Sequence, residues 1–355
     1  MATITEVAKR CGYSITTVSI VLNKAPLSKY IPQATKQRIR KAAKELAYQP
    51  NFFARSLRSR RSNTVGVIVF DITDPYCTQI LRGIENFLYH STFLPLLSDI
   101  QNNADRLKRY VQILIDRQIE GLIAVANSFS LQTDFLEAFH ERSIPVVVIG
   151  RNKEGNGRSS VVVDNQSGAV IALRHLYELG HRSVAFIRGP NTLIDSEQRW
   201  EGVVKFARQV GLHLNPENIV DLEPRLTNPE AGQKAMEKLL RAQREFTAVM
   251  AFDDLTAFGA IRALHHAGLA VPQDCSVIGF DDVGGAAFYN PSLTTIRQPM
   301  EAIGRVAAKT LINLITSSLK KKALLPVHHK VPPRLVVRES TARIDLARTR
   351  ESQGR

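Results

Sequence analysis

The chain has 355 residues and a formal net charge of +14, and its three isolated cysteines are too scattered for a disulfide framework or a zinc site. Its apolar runs are far shorter than the ~20 residues needed to cross a bilayer, and the first residues open a charged segment rather than a signal peptide. We therefore expect a cytoplasmic protein with no membrane partner, no metal and no cofactor.

The positive charge is concentrated at the amino terminus. Residues 1–62 contain 13 Lys and Arg but only two acidic residues, Glu6 and Glu45. A localised basic surface of this kind displaces counterions from nucleic-acid phosphates. A basic face that is merely solvated has the same composition. The predicted helices of this segment therefore have to distinguish a nucleic-acid-binding surface from a solvated one.

The first two predicted helices form a helix-turn-helix pattern. Residues 3–6, Thr-Ile-Thr-Glu, have the form of a capping box that begins a short helix near Ile4, and Gly12 ends it. Ser14 can cap a second helix only two residues later. In helix-turn-helix proteins the first residues of this second helix face base edges in the major groove.

The second helix has an apolar stripe, because Val18, Val21 and Leu22 fall at positions i, i+3 and i+4. The other faces carry the predicted DNA contacts, which are Ser14, Ile15, Thr16, Thr17, Ser19, Ile20 and Asn23. The alternative is that Ile15 and Ile20 belong to the core, but a helix of about nine residues already has a core stripe without them.

A third helix is predicted from Gln33 to Tyr48. Its apolar stripe consists of Ile39, Ala42, Ala43, Leu46 and Ala47. Three helices close a small core, and Thr5 and Thr35 complete the predicted DNA contacts of this all-α headpiece at residues 1–50.

These residues resemble the headpiece of the LacI/GalR family of bacterial transcriptional regulators. The matching positions occur in order, and they are Thr3, Ile4, Glu6, Val7, Ala8, Cys11, Gly12, Tyr13, Ser14, Thr17, Val18, Ser19, Val21, Leu22, Asn23, Leu46, Tyr48, Pro50, Asn51, Ala54 and Leu57. The resemblance implies a homodimer that binds a palindromic double-stranded DNA operator under the control of a small-molecule effector, most often as a repressor. It also implies no catalytic activity.

The resemblance further implies a hinge at residues 51–62 that becomes helical on the operator. When the family's hinge roles are assigned to this sequence, Asn51 caps the hinge helix, Ala54 faces the minor groove and Leu57 inserts into a base step. Arg55 and Arg58 then contact phosphates. Contacts that the kink allows offset the unstacking cost. A basic linker is the alternative, and both interpretations hold if the segment orders only on DNA.

The headpiece departs from the family pattern at two places. Ile20 replaces the Arg, or other residue able to reach a guanine edge or a phosphate, that is common there, and Ile makes only apolar contact, for instance with a thymine methyl. The connection at residues 24–34 is about three residues longer than usual. The operator half-site is therefore expected to differ from the common one.

From Thr64 onward, short apolar runs alternate with helical segments, which predicts parallel sheets covered by helices. The predicted strands are 65–70, 121–125, 146–150, 184–187, 248–252 and 276–280, and the predicted helices include 78–88, 104–117, 169–179, 230–241 and 255–267. About 280 residues are too many for one sheet, so two α/β domains are expected.

For the region after Thr64, the resemblance implies a pair of Rossmann-like lobes of the periplasmic-binding-protein type I class. The lobes are predicted at 63–163 with 298–327 and at 164–297 with 328–342, followed by a disordered tail at 343–355. Three chain crossings are expected near 163–165, 297–298 and 326–330. The dimer surface is expected on helices of both lobes, including Ile80, Leu81 and Ile84.

Ligands of open parallel sheets bind at the carboxyl ends of the strands. Polar residues follow four strands there, and with the resemblance they give a predicted effector site of Asp74, Tyr76, Cys77, Arg151, Arg199, Asp253 and Asp281. Cys77 and Thr227 replace usual aromatic rings, which predicts a roomier or more polar pocket. Asp254 and Asp282 are interpreted as helix caps. A sugar-like effector is expected, with a nucleoside or a phosphorylated sugar as alternatives.

Two other classes compete with a regulator: a ligand-binding α/β enzyme and a sugar-binding receptor without a DNA role. The sequence has no phosphate-binding P-loop, no Gly-x-Ser-x-Gly nucleophile motif and no complete dinucleotide fingerprint. A secreted receptor would need a signal peptide. Neither alternative explains the basic helix-turn-helix segment.

Overall fold

The structure, a computed structural model, describes residues 2–23, 25–49, 61–125, 134–150, 158–223, 227–242, 245–319 and 325–344. The chain divides into two compact units, Met1–Asn63 and Thr64–Arg355. Within the described ranges, no helix combines the length and apolar composition that spanning a membrane requires.

The described residues of the first unit form three α-helices and a short 3₁₀ helix: α1 (Ile4–Cys11), α2 (Ile15–Leu22), the 3₁₀ helix Pro26–Tyr30 and α3 (Gln33–Glu45). The capping box is confirmed, since the Thr3 hydroxyl accepts from the Glu6 N–H and the Thr3 N–H donates to the Glu6 carboxylate at 2.6 Å. Gly12, at φ 75°, ends α1, and the Ser14 hydroxyl accepts from the Thr17 N–H at 3.1 Å to cap α2. The predicted helix-turn-helix is therefore confirmed.

The three helices share one apolar core. Its side chains that are at most 1% exposed are Val7, Cys11, Val18, Val21 and Ile39. Helix α3 ends at Glu45 rather than at the predicted Tyr48, because Ala47 adopts a φ of 46° that a helix does not allow. The 3₁₀ helix Pro26–Tyr30 occupies the lengthened connection after α2.

The second unit is built from alternating strands and helices. Its strands are β1 (Thr64–Val69), β2 (Leu94–Asp99), β3 (Leu122–Val125), β4 (Val146–Ile149), β5 (Ser159–Val163), β6 (Val184–Arg188), β7 (Ile219–Asp221), β8 (Ala248–Ala251), β9 (Ser276–Asp281), β10 (Thr294–Arg297), β11 (His328–Val331) and β12 (Arg334–Val336). Its α-helices are α4 (Pro75–Leu88), α5 (Ala104–Asp116), α6 (Asp134–His140), α7 (Asn165–Glu178), α8 (Ile194–Val210), α9 (Pro229–Arg241), α10 (Asp254–His266) and α11 (Met300–Leu319).

The strands form two six-stranded sheets, one per lobe. Their orders are β11-β5-β4-β3-β1-β2 and β12-β10-β9-β8-β6-β7, and of the described pairs only β10 with β12 is antiparallel. Val67 of β1, for example, pairs with Leu97 of β2 and Ile123 of β3. Each sheet has an apolar core on both faces, which is why its central strands are apolar throughout. The six predicted strands and the two-lobed class are confirmed.

The chain crosses between the lobes three times. The first two crossings fall at Asp164, and at Gln298 and Pro299, within or next to the predicted positions. The third falls at Pro332 and Pro333, later than predicted, because residues 328–331 pair with β5. Strand β11 therefore belongs to the first lobe, and the predicted boundary between 327 and 328 is wrong.

Helices α4 and α11 pack closely within the first lobe. A Cβ on Gly83 would lie 2.0 Å from the Glu301 carbonyl oxygen, and one on Gly304 would lie 2.1 Å from the Ile80 carbonyl oxygen, so the two backbones touch through glycines. Ile80 and Ile84 are at most 1% exposed under α11. The prediction that these two isoleucines form the dimer surface is therefore wrong, because the lobe's own helix covers them.

Candidate DNA-binding surface and ligand cleft

Helix α2 and its caps, Ser14 and Asn23, carry most of the described side chains that are predicted to contact DNA. Of the predicted set, the exposed side chains are Thr5, Ser14, Ile15, Thr16 and Asn23, and the half-buried ones are Thr17, Ile20 and Thr35. Ile15 is 47% exposed, which excludes the alternative that it belongs to the core. The helix thus offers hydroxyl, amide and apolar groups, which are the groups that read base edges in the major groove.

Ser19 does not lie on the open face of α2. Its side chain is 3% exposed, and its hydroxyl accepts from the Asn23 side-chain amide at 3.1 Å. Ser19 lies beside Leu22 on the helix surface, so it is enclosed when this short helix packs on α1 and α3. Its predicted placement among the contact residues is wrong, and its position instead orients Asn23.

The turn before α2 is held against α3. Thr35 Oγ1 donates to the Tyr13 hydroxyl at 3.4 Å, and the Arg38 guanidinium lies 5.7 Å from the centre of the Tyr13 ring. Arg10 of α1 pairs with Glu45 at the end of α3 at 3.1 Å. These contacts fix the orientation of α2 relative to the basic helix α3.

Six of the predicted site residues lie outside the described residues and stay predictions. They are the hinge residues Asn51, Ala54, Arg55, Leu57 and Arg58, and the candidate effector ligand Arg151. Residues 345–355 of the predicted tail also lie outside the described residues.

The second unit has a cleft where the carboxyl ends of both sheets converge. Its inner cavity has a volume of about 90 Å³. The lining includes Phe70, Asp74, Tyr76 and Gly150 from the first lobe and Asp195, Arg199, Thr227, Phe252, Asp253, Asp281 and Gln298 from the second lobe and the second crossing. Five of the seven predicted effector residues are therefore brought together.

Arg199 of α8 is the centre of this cavity. It is 7% exposed, and its guanidinium lies between two aromatic rings, 3.7 Å from the centre of Phe280 and 4.5 Å from that of Phe252. Its Nε donates to Asn165 Oδ1 at 3.0 Å, and Nη2 lies 3.6 Å from Asp281 Oδ1. Rings and hydrogen bonds hold the planar fork in one orientation, so it is ready to donate to a ligand.

Four carboxyl groups line the cavity together with Arg199. Asp195 lies one turn before it on α8 and accepts from the Asn165 amide at 3.0 Å. Asp253 caps α10 by accepting from the Thr256 N–H at 2.7 Å, and Asp74 caps α4 by accepting from the Tyr76 N–H at 2.8 Å. The fourth, Asp281, is the last residue of β9, directly after Phe280, and its carboxyl group accepts from the Gln298 side-chain amide.

Burial has the largest effect on these carboxyl groups. It raises the pKa of Asp74 to about 6 and raises the pKa values of Asp195, Asp253 and Asp281, although the Arg199 charge opposes the rise at the last three. A ligand that donates hydrogen bonds to carboxylates would stabilise their charged forms. The cleft is therefore suited to a ligand with many donors.

The charge balance of the cleft also selects among ligands. Its described lining holds four carboxyl groups and one guanidinium. A phosphate group would add negative charge to this acidic site, whereas hydroxyl groups donate to carboxylates and accept from Arg199. Of the three expected effector types, the phosphorylated sugar fits this balance least.

Three predicted roles beside the cleft are wrong, and one is that of Asp282, which is not a helix cap but pairs with Arg297 and Arg338. Cys77 is fully buried in the first-lobe core and does not line the cavity, because its position on α4 points into the packing with the sheet. Asp254 is not a helix cap, since Asp253 takes that role. Asp254 is fully buried and accepts from the Val283 N–H at 2.9 Å and the Thr295 hydroxyl at 2.5 Å.

Sequence reasoning missed Asn165, Asp195 and Gln298. Asp195 could have been found, because it precedes Arg199 by four residues and therefore shares its helix face. Asn165 follows the first chain crossing and Gln298 lies in the second, so their proximity to the cleft depends on how the lobes meet. Within the described ranges, no group of three His, Cys, Asp or Glu side chains is arranged to hold a metal ion.

A helix-turn-helix headpiece and a two-lobed ligand-binding unit on one chain define a DNA-binding transcriptional regulator. Residues 3–51 match the family described as "Bacterial regulatory proteins, lacI family", and residues 173–341 match the "Periplasmic binding protein-like domain". The HTH-type transcriptional repressor PurR of Serratia proteamaculans (strain 568) is 35% identical over 346 residues, 96% of this chain and 97% of that one. The chain therefore belongs to the LacI family, a family of regulators and not of enzymes.

Solved structures agree with this assignment. The lac repressor dimer bound to operator and the anti-inducer ONPF has a TM-score of 0.83 at 25% identity, covering 96% of this chain and 99% of that one. The complex of the transcriptional regulator CelR with cellobiose has a TM-score of 0.71 at 28% identity, covering 96% of this chain and 100% of that one.

Proposed function

We propose that the chain is a dimeric repressor that binds a palindromic operator. A sugar or sugar derivative that binds in the cleft changes the affinity for that operator. The observation that carries the effector assignment is that four carboxyl groups, Arg199 and aromatic rings line one cavity. A sugar matches both features, because it has several hydroxyl donors and apolar ring faces.

The headpiece supports the DNA-binding side of the proposal. Ile15 and Thr16 are exposed at the start of α2, directly after the Ser14 cap, and Asn23 is exposed at its end. Of the 15 charged residues in 1–62, 13 are basic. The hinge residues Asn51 and Leu57 would add a minor-groove contact if they act as the resemblance implies. DNA as partner implies a cytoplasmic location at the nucleoid.

A second copy of the chain is the proposed partner, since half-site spacing on a palindrome mirrors two-fold protein symmetry. The apolar surface that supports this is on both lobes. Leu94 and Leu97, on the edge strand β2, are 62% and 47% exposed, and Phe288 of the second lobe is 89% exposed. An open edge strand with exposed leucines is a surface that association would cover.

Selection from random double-stranded DNA tests the regulator. We expect enrichment of a symmetric site, and failure to enrich any symmetric sequence would refute the proposal. Trp200 provides the ligand assay, because it is the only tryptophan of the sequence and directly follows Arg199 on α8. Its fluorescence is screened against sugars, phosphorylated sugars, nucleosides and purine bases, and each hit is then added to the operator-binding assay.

The screen separates the three effector types. The proposal requires a neutral sugar to change both the Trp200 signal and the operator affinity. If only a nucleoside or a purine base does so, the regulator assignment stands and the sugar assignment is wrong.

A further inference from the structure

The cleft continues beyond the cavity around Arg199. A second cavity of about 300 Å³ lies beside the first and shares six wall residues with it: Phe70, Asp74, Pro75, Leu193, Thr227 and Leu255. We name the cavity around Arg199 the inner compartment and this larger one the outer compartment.

The two compartments lie along one line of strand ends. The inner compartment is lined by residues at the carboxyl ends of β4, β8 and β9, namely Gly150, Asp253 and Asp281, near the second crossing. The outer compartment is lined by residues that follow the edge strands β2 and β7, namely Asn102 and Asn228. A ligand longer than the inner compartment therefore has a continuous path away from the crossings.

The outer compartment has the chemistry of a second sugar site. The residues that it does not share with the inner compartment include Asp71, Thr73, Asn102 and Asn228, which supply a carboxylate, a hydroxyl and two amides, and its described lining contains no Lys or Arg. Phe70, Leu193 and Leu255 supply apolar walls. This mixture suits a neutral sugar ring, which has polar edges and apolar faces.

Asp74 joins the two compartments, because it lines both. Its carboxyl group is fixed at the start of α4 by the hydrogen bond from the Tyr76 N–H. From that position it can accept hydroxyl hydrogens from either ring of a two-ring ligand. A monosaccharide would leave the outer compartment to water.

We propose that the effector is a neutral ligand of two linked sugar rings, with one ring beside Arg199 and the other in the outer compartment between Thr73 and Asn228. This inference rests on the proposed sugar effector and adds its length. It also predicts where specificity for the second ring resides.

Binding of matched sugar pairs to the full-length chain tests this inference. Trp200 fluorescence and calorimetry compare glucose with maltose and cellobiose, and galactose with lactose and melibiose. At least one disaccharide is expected to bind at least about tenfold more tightly than its constituent monosaccharides. If no disaccharide of the panel does so, the inference is wrong.

A variant of the outer compartment gives a second readout. Thr73 lines only the outer compartment and is exposed, so Thr73→Trp fills that space without touching Arg199. We expect Thr73→Trp to abolish the advantage of the disaccharide and to leave monosaccharide binding within about threefold, whereas Thr73→Ser keeps the advantage. A disaccharide advantage that survives Thr73→Trp would overturn the inference.

The two proposals fail in different ways. If monosaccharides bind and lose affinity in Arg199→Ala, but disaccharides bind no better, only the two-ring inference is wrong. If no sugar of either length gives a signal, the sugar effector itself is wrong.

Discussion

Asp281 and Asp282 are consecutive residues whose carboxyl groups contact different regions of the second unit. Asp281 lies 3.6 Å from Arg199 in the cleft, whereas Asp282 pairs with Arg297 at the second crossing and with Arg338 at 2.6 Å. Both have a positive φ, 117° and 60°, which costs roughly 1–3 kcal/mol for each non-glycine residue. The strained pair therefore connects the ligand site to a chain crossing.

This connection predicts different effects for two matched substitutions. Asp281→Asn is expected to weaken effector binding at least about tenfold, because it removes the charge beside Arg199. Asp282→Asn leaves Arg297 and Arg338 without their counter-charge and is expected to destabilise the second unit by about 3 kcal/mol. Calorimetric titration and thermal unfolding of both variants measure these effects, and equal effects of the two on binding would contradict the assignment.

Arg199→Lys is expected to weaken effector binding by about 2–3 kcal/mol, or roughly 30- to 150-fold, since lysine has no planar fork to lie between Phe252 and Phe280. Arg188→Lys is the matched control. Arg188 stacks on Trp200 at 4.6 Å and pairs with Asp221 at 3.2 Å, and it does not line either compartment. Similar losses in both variants would show that the effect is structural.

Asp74 makes the free energy of unfolding depend on pH. Its pKa is raised by burial from 3.8 to about 6, so the native state holds the proton more tightly than the unfolded chain does and stability falls as pH rises through this window. Asp74→Asn keeps the oxygen that accepts from the Tyr76 N–H. We expect the variant to match the parent near pH 4 and to exceed it by roughly 1–3 kcal/mol at pH 8.

Thermal unfolding at a series of pH values checks this prediction. Asp71→Asn is the control, because Asp71 lies nearby on the same loop and lines only the outer compartment. A constant difference between Asp74→Asn and the parent from pH 4 to pH 8 is the result that would sink the prediction.

Ile20→Arg is expected to change which bases are preferred in the operator half-site, because a guanidinium can donate to a guanine edge and isoleucine can contact only apolar groups. Ser19→Ala is the neighbouring control. It removes the hydroxyl that accepts from Asn23 and should cost about 1 kcal/mol of stability without creating a preference for guanine. Selection from random DNA with each variant measures the preference, and a uniform loss of affinity in Ile20→Arg would mean that Ile20 does not read sequence.

Gly83→Ala is expected to destabilise the first lobe by about 1–3 kcal/mol, because the new methyl group would force α4 and α11 apart at the Glu301 carbonyl. Gly284→Ala is the control, since a Cβ there meets nothing within 4 Å. The two melting temperatures are compared under identical conditions. A Gly83→Ala protein as stable as Gly284→Ala would refute the close helix contact.

The sequence was most informative where local chemistry determines structure. The Thr3 and Glu6 capping box, the Ser14 cap and the fully apolar central strands each depend on a few neighbouring residues, and all are observed. Arg199 could be singled out only through the family resemblance, and Asp281 through that resemblance and its place after a predicted strand; the structure brings them into one cavity.

The misplaced residues are those whose environment is decided by distant regions of the chain. Cys77 and Ile84 are covered by packing within the first lobe, including the distant helix α11, and no local pattern distinguishes such a face from an open one. Strand β11 was missed because His328, His329 and Lys330 are not apolar, and only its pairing with β5 makes it a strand. Ser19 is buried by helix packing, and its burial could not be predicted because small polar side chains are usually exposed.

The three chain crossings have a consequence for synthesis. The first sheet needs β11 and helix α11, and the second needs β12, so the first lobe is incomplete until a ribosome has released the chain as far as Val331 and the second until Val336. The headpiece, in contrast, has its own core within the first 49 residues. A nascent or prematurely terminated chain would therefore carry a finished DNA-reading module joined to two unfinished sheets, able to meet DNA but not to respond to a ligand.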